Sequence, residues 1–88
     1  MKILIICNHL YPAMGGPFRA ITETYKQMSS NTKYKCRLAY KSNGKTKRKL
    51  DLIFLIKNFD VIHYFGGWDF FHIKVVLLSL ILNKKLLN

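Results

Sequence analysis

Carboxylates are scarce in this sequence: Glu23, Asp51, Asp60 and Asp69 stand against fifteen lysines and arginines, giving a formal net charge of +11 over 88 residues. Asp69 alone follows the Gly66-Gly67 pair, and one acid without a partner does not make the paired arrangement of a glycoside hydrolase. Cysteine is limited to Cys7 and Cys36, one in each of two apolar runs, with no CxxC and no histidine at metal-ligand spacing. That excludes a disulfide scaffold and a structural zinc site, and predicts two reduced, buried thiols with no metal and no cofactor. The five glycines form neither GxGxxG nor a P-loop, because no Gly-Lys-Ser/Thr follows them. No Ser-His-Asp or Cys-His set is evident, and His9 has no evident partner, so no catalytic residue is assigned.

Long apolar runs are also missing. The run Ile3 to Cys7 is followed by Asn8 and His9 and is too short for a signal-peptide core. Val75 to Leu82, between Lys74 and Lys84, falls well short of the roughly 20 residues that span a bilayer. The expectation is a cytoplasmic chain with no transmembrane segment.

Half of the residues are hydrophobic and 14% are aromatic, which is the composition of a packed core and not of a disordered chain. At this length the chain holds at most one domain, and it hides a smaller fraction of its surface than a full-sized one. The charge is uneven: eight of the fifteen cations lie between Lys33 and Lys49, a stretch without a carboxylate. Such a stretch is either a solvated loop or a face that attracts phosphates, nucleic acid or anionic headgroups.

Lys2 to Cys7 reads as a strand buried on both faces of a parallel sheet. Gly16 then suits an N-cap and Pro17 a first helical position. Phe18, Ile21, Tyr25 and Met28 are spaced as one stripe of a helix that ends at Ser29 to Asn31. Tyr34 to Tyr40 alternates, with Cys36, Leu38 and Tyr40 on one side, and predicts a second strand near a sheet edge. Ser42-Asn43-Gly44 signals a turn. Lys47 to Asn58 is long for a strand and predicts a helix. Asp60 to Phe65 predicts a third strand, closed by Gly66-Gly67, after which Asp69 caps a helix from Phe70 to Asn83 that is apolar on nearly all sides. Leu86-Leu87 reads as the start of a fourth strand. Strand and helix alternate throughout, so the fold class is α/β with a partial Rossmann-like parallel sheet. Ligands of such sheets gather at the carboxyl ends of strands, here the loops at 8–16 and 66–69.

The glycine pair in Tyr11-Pro12-Ala13-Met14-Gly15-Gly16-Pro17 sits between the first strand and a helix start, where backbone amides and the helix dipole favour an anion. A plain tight turn is the competing reading. Lys2-Ile3-Leu4-Ile5-Ile6, Tyr11-Pro12 and Gly15-Gly16-Pro17 with Arg19 resemble the opening of the family 4, group 1, retaining glycosyltransferases of GT-B fold. Asp60-Val61-Ile62-His63 with Gly66 is similar to that family's Asp-Val-Ile-His strand. The resemblance covers essentially the whole chain, but only the early part of the family's first domain.

The resemblance implies an incomplete acceptor-side Rossmann-like domain over residues 1–88, with the donor-binding domain and its paired glutamates absent. It implies that Gly15 and Gly16 approach a nucleotide-sugar donor's diphosphate, with Arg19 helping to hold the anion. It further implies that His63 contacts hydroxyls of a glycan or lipid-linked acceptor. Trp68 is a candidate for stacking on a sugar ring, against the commoner role of core filler. Phe65 departs from the pattern, standing where many members carry a second histidine. The basic stretch with Leu50 to Ile56 would suit peripheral docking to an anionic membrane. Two other readings stand beside this one: a small basic module binding phosphate groups or nucleic acid, for which no recognised motif is present, and a nonfunctional remnant.

Overall fold

The computed structural model describes residues 1–43, 50–66 and 69–87. Four parallel strands, β1 (Lys2–His9), β2 (Lys35–Ser42), β3 (Val61–Phe65) and β4 (Lys85–Leu87), form one sheet in the order β2-β1-β3-β4. Three helices connect them: α1 (Gly16–Ser30), α2 (Leu52–Lys57) and α3 (Phe70–Ile81). The α/β class and the parallel sheet flanked by helices are as the alternation predicts.

β1 has a neighbour on each side and helices over both faces, which is why five consecutive residues, Ile3 to Cys7, are apolar and buried. Alternation divides them. Ile3, Ile5 and Cys7 pack beneath α1 with Ile21, Phe18, Tyr25 and Met28. Leu4 and Ile6 pack on the other face with Leu55 and Ile56 of α2 and Phe71 and Val75 of α3. The predicted stripe of α1 therefore meets the sheet, and β2 is an edge strand with Cys36, Leu38 and Tyr40 on the α1 side. Truncating a fully buried side chain such as Leu4 to alanine would cost about 2–5 kcal/mol.

Several boundaries differ from the sequence reading. β1 continues through Asn8 and His9, because pairing of His9 with Ser42 carries the ladder past the aliphatic run. The N-cap of α1 is Gly15, not Gly16: its φ of 72° is a conformation open to glycine, and its carbonyl accepts the first helical bond, from Arg19 N at 3.1 Å. β2 runs past Tyr40 to Ser42, and β3 begins at Val61, one residue after Asp60. The helix expected over Lys47 to Asn58 is the six-residue α2, begun where the Asp51 carboxylate accepts from Phe54 N at 3.1 Å. Residues 44–49, with four of the eight cations of the basic stretch and the glycine of the expected turn, lie outside the described residues.

α3 closes at Leu82. Asn83 takes φ 56°, and Lys84 N then reaches Ser79 O at 2.8 Å, so asparagine fills the left-handed stop usually given to glycine. Contrary to a helix buried on all sides, only one face of α3 is covered. Phe71, His72, Val75 and Ser79 are buried, whereas Phe70, Ile73, Leu77, Leu80 and Ile81 are exposed. Among the described residues no helix is long and apolar enough to cross a membrane.

Candidate functional site

The chain leaves β1 over one face of the sheet to reach β2, and returns over the other face to reach β3. β1 and β3 thus flank a topological switch point, where strand connections diverge and leave a crevice at the carboxyl ends. A pocket of about 340 Å³ occupies this place. Asn8 and His9 come from the end of β1, Pro17, Ala20 and Ile21 from the first turns of α1, and Tyr64, Phe65 and Gly66 from the end of β3. Asp69 completes the lining from the cap of α3. Of the two loops singled out in the sequence, at 8–16 and 66–69, the first supplies Asn8 and His9 to the lining and the second Gly66 and Asp69.

Asp69 is the polar hub of the pocket. One carboxylate oxygen, Oδ1, accepts from His72 N at 2.8 Å, the expected helix cap, and from the Tyr64 hydroxyl at 3.4 Å. The other, Oδ2, accepts from Asn8 Nδ2 at 2.9 Å. The backbone bond from His72 leads the causes that hold the Asp69 carboxyl below its usual range; burial opposes it. The Tyr64 hydroxyl is pushed well up, first by burial and then by the Asp69 charge, so it keeps its proton and donates. A carboxylate held by three donors in this way acts as a clamp between β1, β3 and α3. Because a carboxylate only accepts, the amide of Asn8 is fixed with its nitrogen toward Asp69. Behind the hub, the buried His72 ring stacks on Tyr64, with centroids 4.3 Å apart and planes within 3°.

The residues expected from sequence are distributed unevenly. Gly15 and Gly16 form the exposed turn just before Pro17, with open space around both. Arg19 lies one residue from the lining Ala20, but its side chain is exposed and meets Glu23 at 3.5 Å. His63 is at the centre of β3, between Ile5 and Leu87, half-buried and stacked on Phe65 at 4.4 Å. Burial lowers its pKa, favouring the neutral ring, and it stands behind Phe65 rather than in the pocket lining. Trp68 and Gly67 lie outside the described residues. Cys7 is buried, Cys36 half-buried, and both thiols are free.

Asn8, Tyr64 and His72 were not among the expected site residues. Asn8 was legible as the first polar residue after an aliphatic run, and His72 as a polar residue three positions from a capping aspartate. Tyr64 gave no signal, because an aromatic in a buried strand reads as core. Among the described residues no group of histidine, cysteine or carboxylate side chains is arranged to hold a metal ion. In comparisons with protein-family models, curated proteins and solved structures, the chain matches none.

Proposed function

We propose that this chain is the acceptor-side portion of a retaining glycosyltransferase of the family 4 type. It would serve transfer of a sugar from a nucleotide-sugar to a glycan or lipid-linked acceptor. The observation that carries this reading is the pocket at the β1–β3 switch point, lined on the α1 side by Pro17, Ala20 and Ile21, which follow the glycine turn. The motif order supports it: an aliphatic first strand, Tyr11-Pro12, Gly15-Gly16-Pro17 with Arg19, then Asp60-Val61-Ile62-His63 with Gly66.

In this reading the first-turn amides of α1, which a helix leaves without intrahelical partners, face the donor's diphosphate. Arg19 exchanges its exposed pairing with Glu23 for the phosphate. Asn8, held by Asp69, offers its carbonyl oxygen to a sugar hydroxyl, and Phe65 with Ile21 forms the apolar floor. His63 supports the acceptor side through its stack on Phe65. The transfer breaks the bond between the anomeric carbon and the diphosphate oxygen, which leaves with the electron pair. The acceptor oxygen forms the new bond and passes its proton to the departing diphosphate. Nucleotide recognition belongs to a second Rossmann-like domain outside these 88 residues.

The test begins with the intact mass of the protein made by its native host. It continues with a panel of nucleotide-sugars, scored for release of nucleoside diphosphate in the presence of host glycan and lipid extracts. Acceptor-dependent release supports the proposal. If the host-made protein neither binds nor consumes any member of the panel, the proposal fails.

A further inference from the structure

The end of the sheet opposite the pocket has a different character. Lys2, Lys33, Lys35, Lys57 and Lys84, drawn from four separate segments, line an open cleft of about 590 Å³ at the amino ends of the strands. Asp60 is the carboxylate in its lining, and its Oδ2 already accepts from Lys2 N at 2.9 Å. Among the described residues none of these lysines forms an ion pair.

Two of them, Lys57 and Lys84, sit at the carboxyl ends of α2 and α3, and among the described residues those helices carry most of the large exposed apolar side chains. On α3 the outward positions Phe70, Ile73, Leu77 and Leu80–Ile81 follow the spacing of a single helical stripe, with Lys74 among them. Phe70 is 83%, Leu80 71% and Ile81 75% exposed. On α2, Ile53 and Phe54 are likewise exposed, and Phe54 precedes Lys57 by three residues, as Ile81 precedes Lys84. Each helix therefore presents an apolar flank that ends in a lysine, and neither contains a carboxylate.

We propose that this α2–α3 edge docks on an anionic lipid surface. Exposed apolar side chains would enter the headgroup boundary, with Lys57, Lys74 and Lys84 at the level of the lipid phosphates. The α3 helix, about 18 Å long, lies in the plane of the interface and does not cross it. Charge complementarity selects this occupant over a second copy of the chain. A protein of net charge +11 meets its own copy with like charge, whereas an anionic bilayer neutralises the same lysines that border the apolar flank. The surface differs from that expected in the sequence: of the apolar residues from Leu50 to Ile56, Leu55 and Ile56 are core, and Ile53 and Phe54 are exposed, as is Asp51. Because the pocket lining takes Asp69 from the cap of α3 but none of the outward side chains of this edge, docking stands or falls independently of sugar transfer.

The test is co-sedimentation of the full chain with phosphatidylglycerol and with phosphatidylcholine vesicles, at low and high salt. Two double variants accompany it: Lys57→Glu with Lys84→Glu, at an exposed and a half-buried lysine, and Leu80→Ser with Ile81→Ser, at exposed positions. Equal circular dichroism spectra would show that both fold. The expected result is retention by the anionic vesicles only, weakened by salt. Partitioning should fall about fivefold or more per lysine changed, and at least about tenfold in the serine variant. Loss in the lysine variant but not in the serine variant, together with binding of single-stranded oligonucleotide, would overturn the proposal in favour of a nucleic-acid surface. A vesicle-independent dimer disrupted by the serine pair would overturn it in favour of a second copy. Absence of vesicle binding at low salt would overturn it outright.

Discussion

The Asn8 amide donates to the Asp69 carboxylate at 2.9 Å across 61 residues of chain, tying the end of β1 to the cap of α3. The same carboxylate holds His72 N and the Tyr64 hydroxyl, so one aspartate joins two strand ends and a helix start where the pocket forms. Stability of α3 and shape of the pocket are therefore coupled through a single side chain.

Replacing Asp69 by alanine removes the cap and leaves Asn8 and Tyr64 without their acceptor. A cost of about 1–2 kcal/mol at neutral pH is expected, from the cap alone. The pH dependence has a definite sign. The carboxyl is held below its unfolded value, so its contribution is full above that value and is lost as pH falls through the folded one. Denaturant titrations at a series of pH values should show the two proteins converging below about pH 4. A difference that persists unchanged into acid would mean that ionisation of Asp69 is not what stabilises the cap.

Gly66 and Gly16 should respond oppositely to alanine. At Gly66 φ is 144°, and an added Cβ would lie 3.2 Å from both Cε1 and the hydroxyl oxygen of Tyr64. Backbone strain and crowding of a hub residue together should cost about 1–3 kcal/mol. Gly16 has an ordinary helical position with nothing within 4 Å, so alanine there should be neutral or stabilise by up to about 1 kcal/mol. Thermal melts of the two variants decide the matter, and equal effects would contradict the described loop geometry.

The fold was legible because its strongest signals are local. The unbroken run Ile3 to Cys7 marks a central strand, the Phe18-Ile21-Tyr25-Met28 spacing marks the covered face of α1, and Asp69 marks a cap. The site was legible only in its location. Strand order predicts a crevice beyond Asn8 and Gly66, but nothing local in Asn8 shows that it meets a residue 61 positions away. The exposure of α3 was hidden for a related reason. A helix apolar on both flanks has the same periodicity whether one flank or both are covered, and only the sheet's order shows which is open.

The two thiols should be resolved by alkylation. Burial pushes the Cys7 thiol up to about 11, and Cys36, half-buried, is raised less. Since the thiolate is the nucleophile, native protein near pH 8 should react first at Cys36, and at Cys7 only after unfolding. Between its unfolded value and about 11 the folded chain keeps the Cys7 proton that the unfolded chain releases, so stability should decline as pH rises through that window. Mass spectrometry of partially labelled protein checks the order, and prior labelling of Cys7 would contradict it.

Asn8→Asp tests the hub itself. The change is nearly isosteric, but it replaces a donor with an acceptor 2.9 Å from Asp69 Oδ2, so two carboxylates face each other where one amide bond stood. At neutral pH both cannot ionise without repulsion, and the pair should bind a proton with one pKa raised well above the ordinary carboxylate range. The variant should therefore be destabilised at pH 7 and recover as pH falls toward about 5, where a shared proton restores a donor between the oxygens. Asn8→Ala loses the donor without adding charge, so its deficit should be flat over the same range. Recovery in acid confined to the aspartate variant would identify the Asn8–Asp69 bond as the link between β1 and α3. Parallel curves for the two variants would mean that the two side chains do not meet in solution.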